Sequence, residues 1–262
     1  TQGYQLNLAL KAFNKWTSNF LFPSFKSGSL NVSGIALEHA SFTPQNLASI
    51  QIQSGDRPYA SHLTLQLYNK CRISELLSSY SSYAIGVIGP AALGEETQVY
   101  IHERVESVIP EGWHNQIQND LVLSWKYGID LRMFRLRNSV EMRTLSQIQV
   151  GTLYNYASLG TFLKTGFLKG KDEDKFEFYA FLQPQAKLVL YDATLQGGVF
   201  NKNSPYVLDK VMLNRLNYFV KTGLCMNFNK FQVLLEYALQ SPEFDSGTQA
   251  KWGGIRLFYT WD

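Results

Sequence analysis

His102 follows Gln98 by four residues, in a stretch that begins after Gly94 and stops before Pro110. The spacing there is helical, and a helix is predicted over residues 95–108. Residues four apart on a helix share a face, with Cβ atoms about 5–6 Å apart. Histidine exchanges a proton near neutral pH, so His102 is the leading candidate for a general base, with the Gln98 amide able to orient it or a water. A solvent-exposed helix histidine would show the same spacing. His39 and His62 fall on predicted strands, and His114 lies in the irregular run Gly112-Trp113-His114-Asn115-Gln116.

Asp56 and Arg57 open the block Asp56-Arg57-Pro58-Tyr59-Ala60. They are suited to gripping a polar headgroup, and equally to forming an ion pair that braces a loop against a barrel wall. Glu141 and Arg143, two residues apart, would share a strand face and fit the polar ladders that fill small barrels. Other chemistries lack their residues. There is no G-x-S-x-G elbow, phosphate-binding loop or dinucleotide fingerprint, and Glu106 stands where a zincin helix after His102-Glu103 needs a second histidine. Cys71 and Cys225 have no metal-ligand spacing and read as buried or lipid-facing thiols.

The elements that must position these groups are strands. Leu121, Leu123, Trp125, Tyr127, Ile129, Leu131 and Met133 alternate with Val122, Ser124, Lys126, Gly128, Asp130 and Arg132. A strand places the two sets on opposite faces, one apolar and one carrying charge. The same alternation fits Tyr4 to Leu10, Tyr59 to Leu67, and the stretches 30–38, 80–88, 140–152, 154–164, 176–190, 209–219, 222–228, 230–239 and 252–261. These runs reach about ten residues, longer than the usual five or six and close to the 9–11 of a membrane strand. Turn-forming runs separate them at 137–139, 170–172, 201–205 and 242–247.

Composition agrees. The 262 residues are 45% hydrophobic, 17% charged and 14% aromatic. Mean hydropathy is −0.16, which excludes a polytopic helical membrane protein. A net charge of +3 without a basic stripe gives no case for nucleic acid, and the run Lys169 to Lys175 mixes both signs like a loop tip. The expected architecture is one all-β domain over 1–262, an antiparallel outer-membrane barrel with a short helical insert. No signal peptide precedes Thr1, so the chain reads as mature, trimmed or a fragment.

From Ile85 onward the residues carry a resemblance. Gly89-Pro90-Ala91-Ala92-Leu93-Gly94-Glu95, then Gln98, His102 and Gly112-Trp113-His114-Asn115-Gln116, resembles the lipid A 3′-O-deacylase family of Gram-negative outer membranes. Asp56-Arg57-Pro58-Tyr59-Ala60 is similar to that family's D-R-P-Y-A-G block, with Ser61 replacing the glycine. Phe42-Thr43-Pro44 and Gly151 to Gly160 resemble further family segments, and the last third, through Phe244, is compatible.

The resemblance implies a twelve-stranded barrel with its active site between the wall and a helix near the outer leaflet. It implies calcium-dependent ester hydrolysis that removes the 3′-linked acyloxyacyl group of lipid A. The family histidine maps onto His102 and its glutamine onto Gln98. Its T-N-G strand start maps onto Thr1-Gln2-Gly3, making Thr1 and Gly3 candidates for the Ca²⁺ and oxyanion environment. Glu106 is the nearest match to a family glutamate. Lipopolysaccharide in the outer membrane is the implied partner, and a monomer is expected. The family's upstream Asn-Asp strand has no counterpart after Thr1, so about eleven strands are expected here. Two other readings are a non-catalytic, porin-like or lipid-binding barrel and a soluble lipocalin-like barrel.

Overall fold

The computed structural model describes residues 2–9, 30–168 and 176–260. Eleven strands form one antiparallel sheet in which every strand pairs with its sequence neighbour. They are β1 (Gln2–Ala9), β2 (Leu30–Phe42), β3 (Ala60–Arg72), β4 (Leu77–Ile88), β5 (Asp120–Leu136) and β6 (Val140–Gly151), followed by β7 (Tyr154–Phe167), β8 (Phe176–Asp192), β9 (Leu216–Phe228), β10 (Phe231–Gln240) and β11 (Ala250–Tyr259). Among the described residues, β1 pairs only with β2 and β11 only with β10.

The sheet curls strongly enough for connections far apart in sequence to meet. Gln45, between β2 and β3, donates to Thr248, between β10 and β11. Arg57 on the first of these connections pairs with Glu243 on the second at 3.1 Å.

The alternation read from the sequence becomes two chemically distinct faces. On one face Leu65, Ile85, Leu121 and Leu123 stay exposed, as side chains facing lipid would. On the other, Thr64, Gln66, Glu141, Gln149 and Glu177 are buried. That interior is bound by ion pairs: Arg143 reaches Asp130 at 2.6 Å and Glu141 at 3.1 Å, and Lys164 reaches Glu177 at 3.2 Å. Cys71 and Cys225 are both free and buried.

The two ends of the sheet differ. Strands β3–β4, β5–β6 and β9–β10 join through tight turns at one end, whereas long connections leave β2, β4 and β8 at the other. In outer-membrane barrels the long loops are extracellular. Near this end the interior is filled by Ala60, Ile88, Ile117, Val122, Leu153 and Ala193, flanked by Phe42, Tyr154 and Tyr191. A second cluster, Leu195, Leu208, Leu213 and Phe244, ties together the loops above it.

Two sequence expectations need correction. The stretch 209–219 is not a strand throughout: Lys210–Met212 forms a single 3-10 turn, and β9 begins at Leu216. Leu213 is drawn out of the ladder by its bridge to Phe244 in the loop cluster. The helical insert, expected over 95–108, spans only Gly94–Arg104 and is termed α1. Glu106 adopts a left-handed conformation, φ 52, and Ser107 N–H donates back to the His102 carbonyl at 2.9 Å. That 6→1 bond across a left-handed residue is a Schellman stop, which ends the helix before Val108.

Candidate active site between α1 and the wall

α1 lies on the lipid-facing side of the sheet. On β2, His39 and Ser41 share the face of exposed Leu37, and on β3, Ser61 shares the face of exposed Leu65. Gly94, the first residue of α1, rests on that face: a Cβ added to it would fall 2.3 Å from the Ser61 Cβ and 2.8 Å from the Trp113 ring. Glycine is required here for close approach. Trp113, fully buried, packs its ring 5.0 Å from that of Tyr59 and fixes the base of the helix. Burial raises the Tyr59 phenol above its ordinary pKa, the Gly112 backbone opposing it, so Tyr59 remains neutral packing.

Strand register sets two rows of side chains on this face, at and beside the strands that the helix contacts. Gln2 stands opposite Ser41, which stands opposite Ser61. One step deeper, Tyr4 stands opposite His39, which stands opposite Leu63. Tyr4 and His39 stack with centroids 5.0 Å apart.

The buried side of α1 presents Gln98 and His102. His102 Nδ1 lies 2.5 Å from the Val108 carbonyl oxygen. A carbonyl can only accept, so Nδ1 is the donor, and in the neutral ring the lone pair therefore lies on Nε2. Several buried polar atoms around this layer have no protein partner: Gln98 Oε1, His39 Nε2, Ser41 Oγ and Gln2 Oε1. Buried polar groups are nearly always paired. Four orphans, three on a wall that should be apolar and one on the helix that covers it, mark a place built to receive something polar.

The expected site residues are distributed as follows. His102 and Gln98 are both buried on the wall side of α1. Glu106 is exposed, just past the helix end. Gly3 is opposite Ala40, and a Cβ on it would come within 2.9 Å of the His39 carbonyl, so a larger residue would be crowded there; as a glycine it can offer a ligand only its backbone. Thr1 lies outside the described residues, as do the charge run 169–175 and the turn at 170–172.

Asp56 and Arg57 are engaged at the rim instead. The Asp56 carboxylate accepts from the backbone of Gln45 at 2.8 Å and of Arg57 at 2.7 Å. Arg57 donates to Glu243 at 3.1 Å and Thr194 at 3.2 Å, and stacks 4.3 Å over the Phe42 ring. This bracing network occupies most of the Arg57 guanidinium, although its Nε is buried without a partner.

Sequence reasoning passed over His39, Ser41 and Gln2. The available signal was a break in polarity: on β2 the outward set Ile35, Leu37 turns polar at His39 and Ser41. Reading it requires knowing which face is lipid and that a helix covers it.

Ca²⁺ demands oxygen donors. The unpartnered oxygens of Gln2, Ser41 and Gln98 suit a hard cation in kind. Among the described residues no group of three His, Cys, Asp or Glu is arranged to hold a metal, so these donors would be neutral ones.

Comparison with known proteins bears on the fold and the family. The family model described as outer membrane protein LpxR matches residues 1–261. The solved structure of LpxR from Salmonella typhimurium superposes with a TM-score of 0.79 at 18% identity, covering 98% of this chain and 88% of that one. No curated protein sequence matches significantly. At that identity the structural likeness speaks for the fold, and the family model speaks for membership. The chain belongs to the LpxR family of outer membrane proteins and is an integral β-barrel of the outer membrane.

Proposed function

We propose that the protein is an esterase that hydrolyses the 3′-linked acyloxyacyl chain of lipid A at the face between α1 and the wall. The observation that carries this reading is His102, which is buried and faces the wall with Nδ1 committed to Val108 and Nε2 free to accept a proton. Such a group, set at the lipid-facing side of an outer-membrane barrel, meets a lipid ester where esters of lipid A lie.

In the proposed reaction, His102 Nε2 removes a proton from a water, and the resulting hydroxide attacks the ester carbonyl. The tetrahedral intermediate collapses by breaking the bond to the sugar oxygen. That alkoxide takes the proton from His102, leaving a free hydroxyl and a released fatty acid. Gln98 Oε1, buried and without a protein partner, accepts a hydrogen bond from the attacking water. His39 and Ser41 provide polar contacts to the substrate on the opposite side. Ca²⁺ belongs to this proposal, with Thr1 and Gly3 as its candidate ligands and the unpartnered Gln2 Oε1 as a further neutral oxygen, while Glu106 stays a candidate for the catalytic step. When bound, it would supply positive charge to the ester oxygen as negative charge develops. A single such stabilising group is typically worth about 3–4 kcal/mol. Lipopolysaccharide is the partner, no nucleic acid is involved, and the protein acts as a monomer.

A porin-like role fits less well. The interior near the long-loop end carries a packed apolar cluster of Ile88, Ile117, Val122 and Leu153, each under 5% exposed, unlike the polar lining of a water-filled channel. Replacing His102 by Ala and assaying release of fatty acid from lipid A tests the assignment. Complete loss with the barrel still folded supports it, and retained turnover refutes it.

A further inference from the structure

The segment after α1 has a composition at odds with its position if it faces water. Tyr100 on α1 and Val105, Val108 and Ile109 beyond it are 58%, 65%, 56% and 40% exposed. Exposed apolar residues clustered this densely mark a contact surface. α1 rests on the outward wall, whose next rows of side chains include exposed Leu37, Leu65 and Ile85. The apolar cluster therefore continues the lipid-facing belt at its extracellular edge. Its charged neighbours Glu103, Arg104 and Glu106 are exposed as well, and Arg104 lies over the Tyr100 ring at 5.2 Å. An apolar surface rimmed by charge and a tyrosine is how peptide segments lie in a membrane interface.

This segment also holds the candidate base. Val108 presents its side chain outward while its carbonyl accepts from His102 Nδ1, and Ser107 N–H closes the turn onto the His102 carbonyl. The position of Val108 thus sets the ring orientation of His102. We infer that residues 105–109 form a strap embedded in the outer leaflet's lipid, and that lipid contact at Val105, Val108 and Ile109 fixes His102 for reaction. The partner is the acyl and headgroup boundary of the bilayer itself, not the lipid A undergoing hydrolysis. The lipid contact stands independently; the coupling to His102 rests on the esterase reading.

The two parts are tested separately. A nitroxide attached to Val108→Cys in the otherwise intact protein is reconstituted into phosphatidylcholine vesicles; Cys71 and Cys225 are buried and an unsubstituted control measures their background. The label should relax faster with oxygen than with a water-soluble nickel complex. The reverse preference overturns the inference, and so does burial that appears only after lipid A is added, because the contact would then be to substrate. For the coupling, Val108→Asp should lower deacylation of lipid A in vesicles by on the order of tenfold or more, since small misplacements of a reacting group cost that much. Val211→Asp, in a loop residue 87% exposed, should leave it unchanged. Equal activity of Val108→Asp and wild type overturns the coupling. If wild type releases no fatty acid, the esterase reading fails while the spin-label result still decides the lipid contact.

Discussion

His102 Nδ1 and the Val108 carbonyl oxygen are 2.5 Å apart, and this contact determines which ring nitrogen carries the proton. It spans six residues and crosses the end of the helix, so the stop at Glu106 is part of the site. Had the helix run on to Val108, that carbonyl would point along the helix axis, toward the backbone N–H of residue 112 and away from the ring.

Glu106 occupies a left-handed position usually given to glycine, at a cost of order 1 kcal/mol. Glu106→Gly should therefore preserve or slightly raise thermal stability. If the carboxylate contributes to the metal, the same variant should need more Ca²⁺ for half-maximal activity. Calcium titrations of both proteins, with their melting temperatures, check this.

Gly94 permits α1 to touch the wall. In Gly94→Leu the side chain would overlap Ser61 and Trp113, and the helix must lift. Activity should fall by on the order of a hundredfold, because displacement of about 1 Å is that costly. The barrel itself should still show heat-modifiable gel mobility, since its ladders do not involve Gly94. Unimpaired activity would show that α1 need not approach the wall.

Ser41 offers a cleaner separation of stability from function. Its hydroxyl is buried with no protein partner, so Ser41→Ala removes an unsatisfied group and should leave stability equal or better. If the hydroxyl serves the substrate, turnover should drop several-fold, the worth of about one hydrogen bond. Unfolding and turnover measured on the same preparation distinguish the two.

Arg57 gives the opposite expectation. It bridges Glu243 and Thr194 across the rim, and its removal leaves a partly buried carboxylate short of a partner. Arg57→Ala should lower the melting temperature while substrate dependence stays near wild type. A raised KM with unchanged melting would reassign Arg57 to headgroup binding.

The fold was legible in the sequence because lipid outside and polar side chains inside enforce a period of two over long runs, as in Leu121 to Met133. Gln98 and His102 were legible because a helix interrupts that period. The point at which the helix stops was not legible, because glutamate carries no stop signal; the left-handed turn at Glu106 comes from tertiary placement. His39 and Ser41 were obscured for a related reason. On an isolated strand they look like ordinary polar alternation, and only the register with Gln2 and Ser61, under α1, makes them a site.

Mass spectrometry of lipid A incubated with the folded protein, with Ca²⁺ and then with excess chelator, decides whether the barrel is a calcium-dependent esterase. Loss of one 3′-acyloxyacyl mass is expected with Ca²⁺ and none with chelator. An unchanged lipid A spectrum in both conditions, from a protein shown to be folded, would contradict the esterase reading.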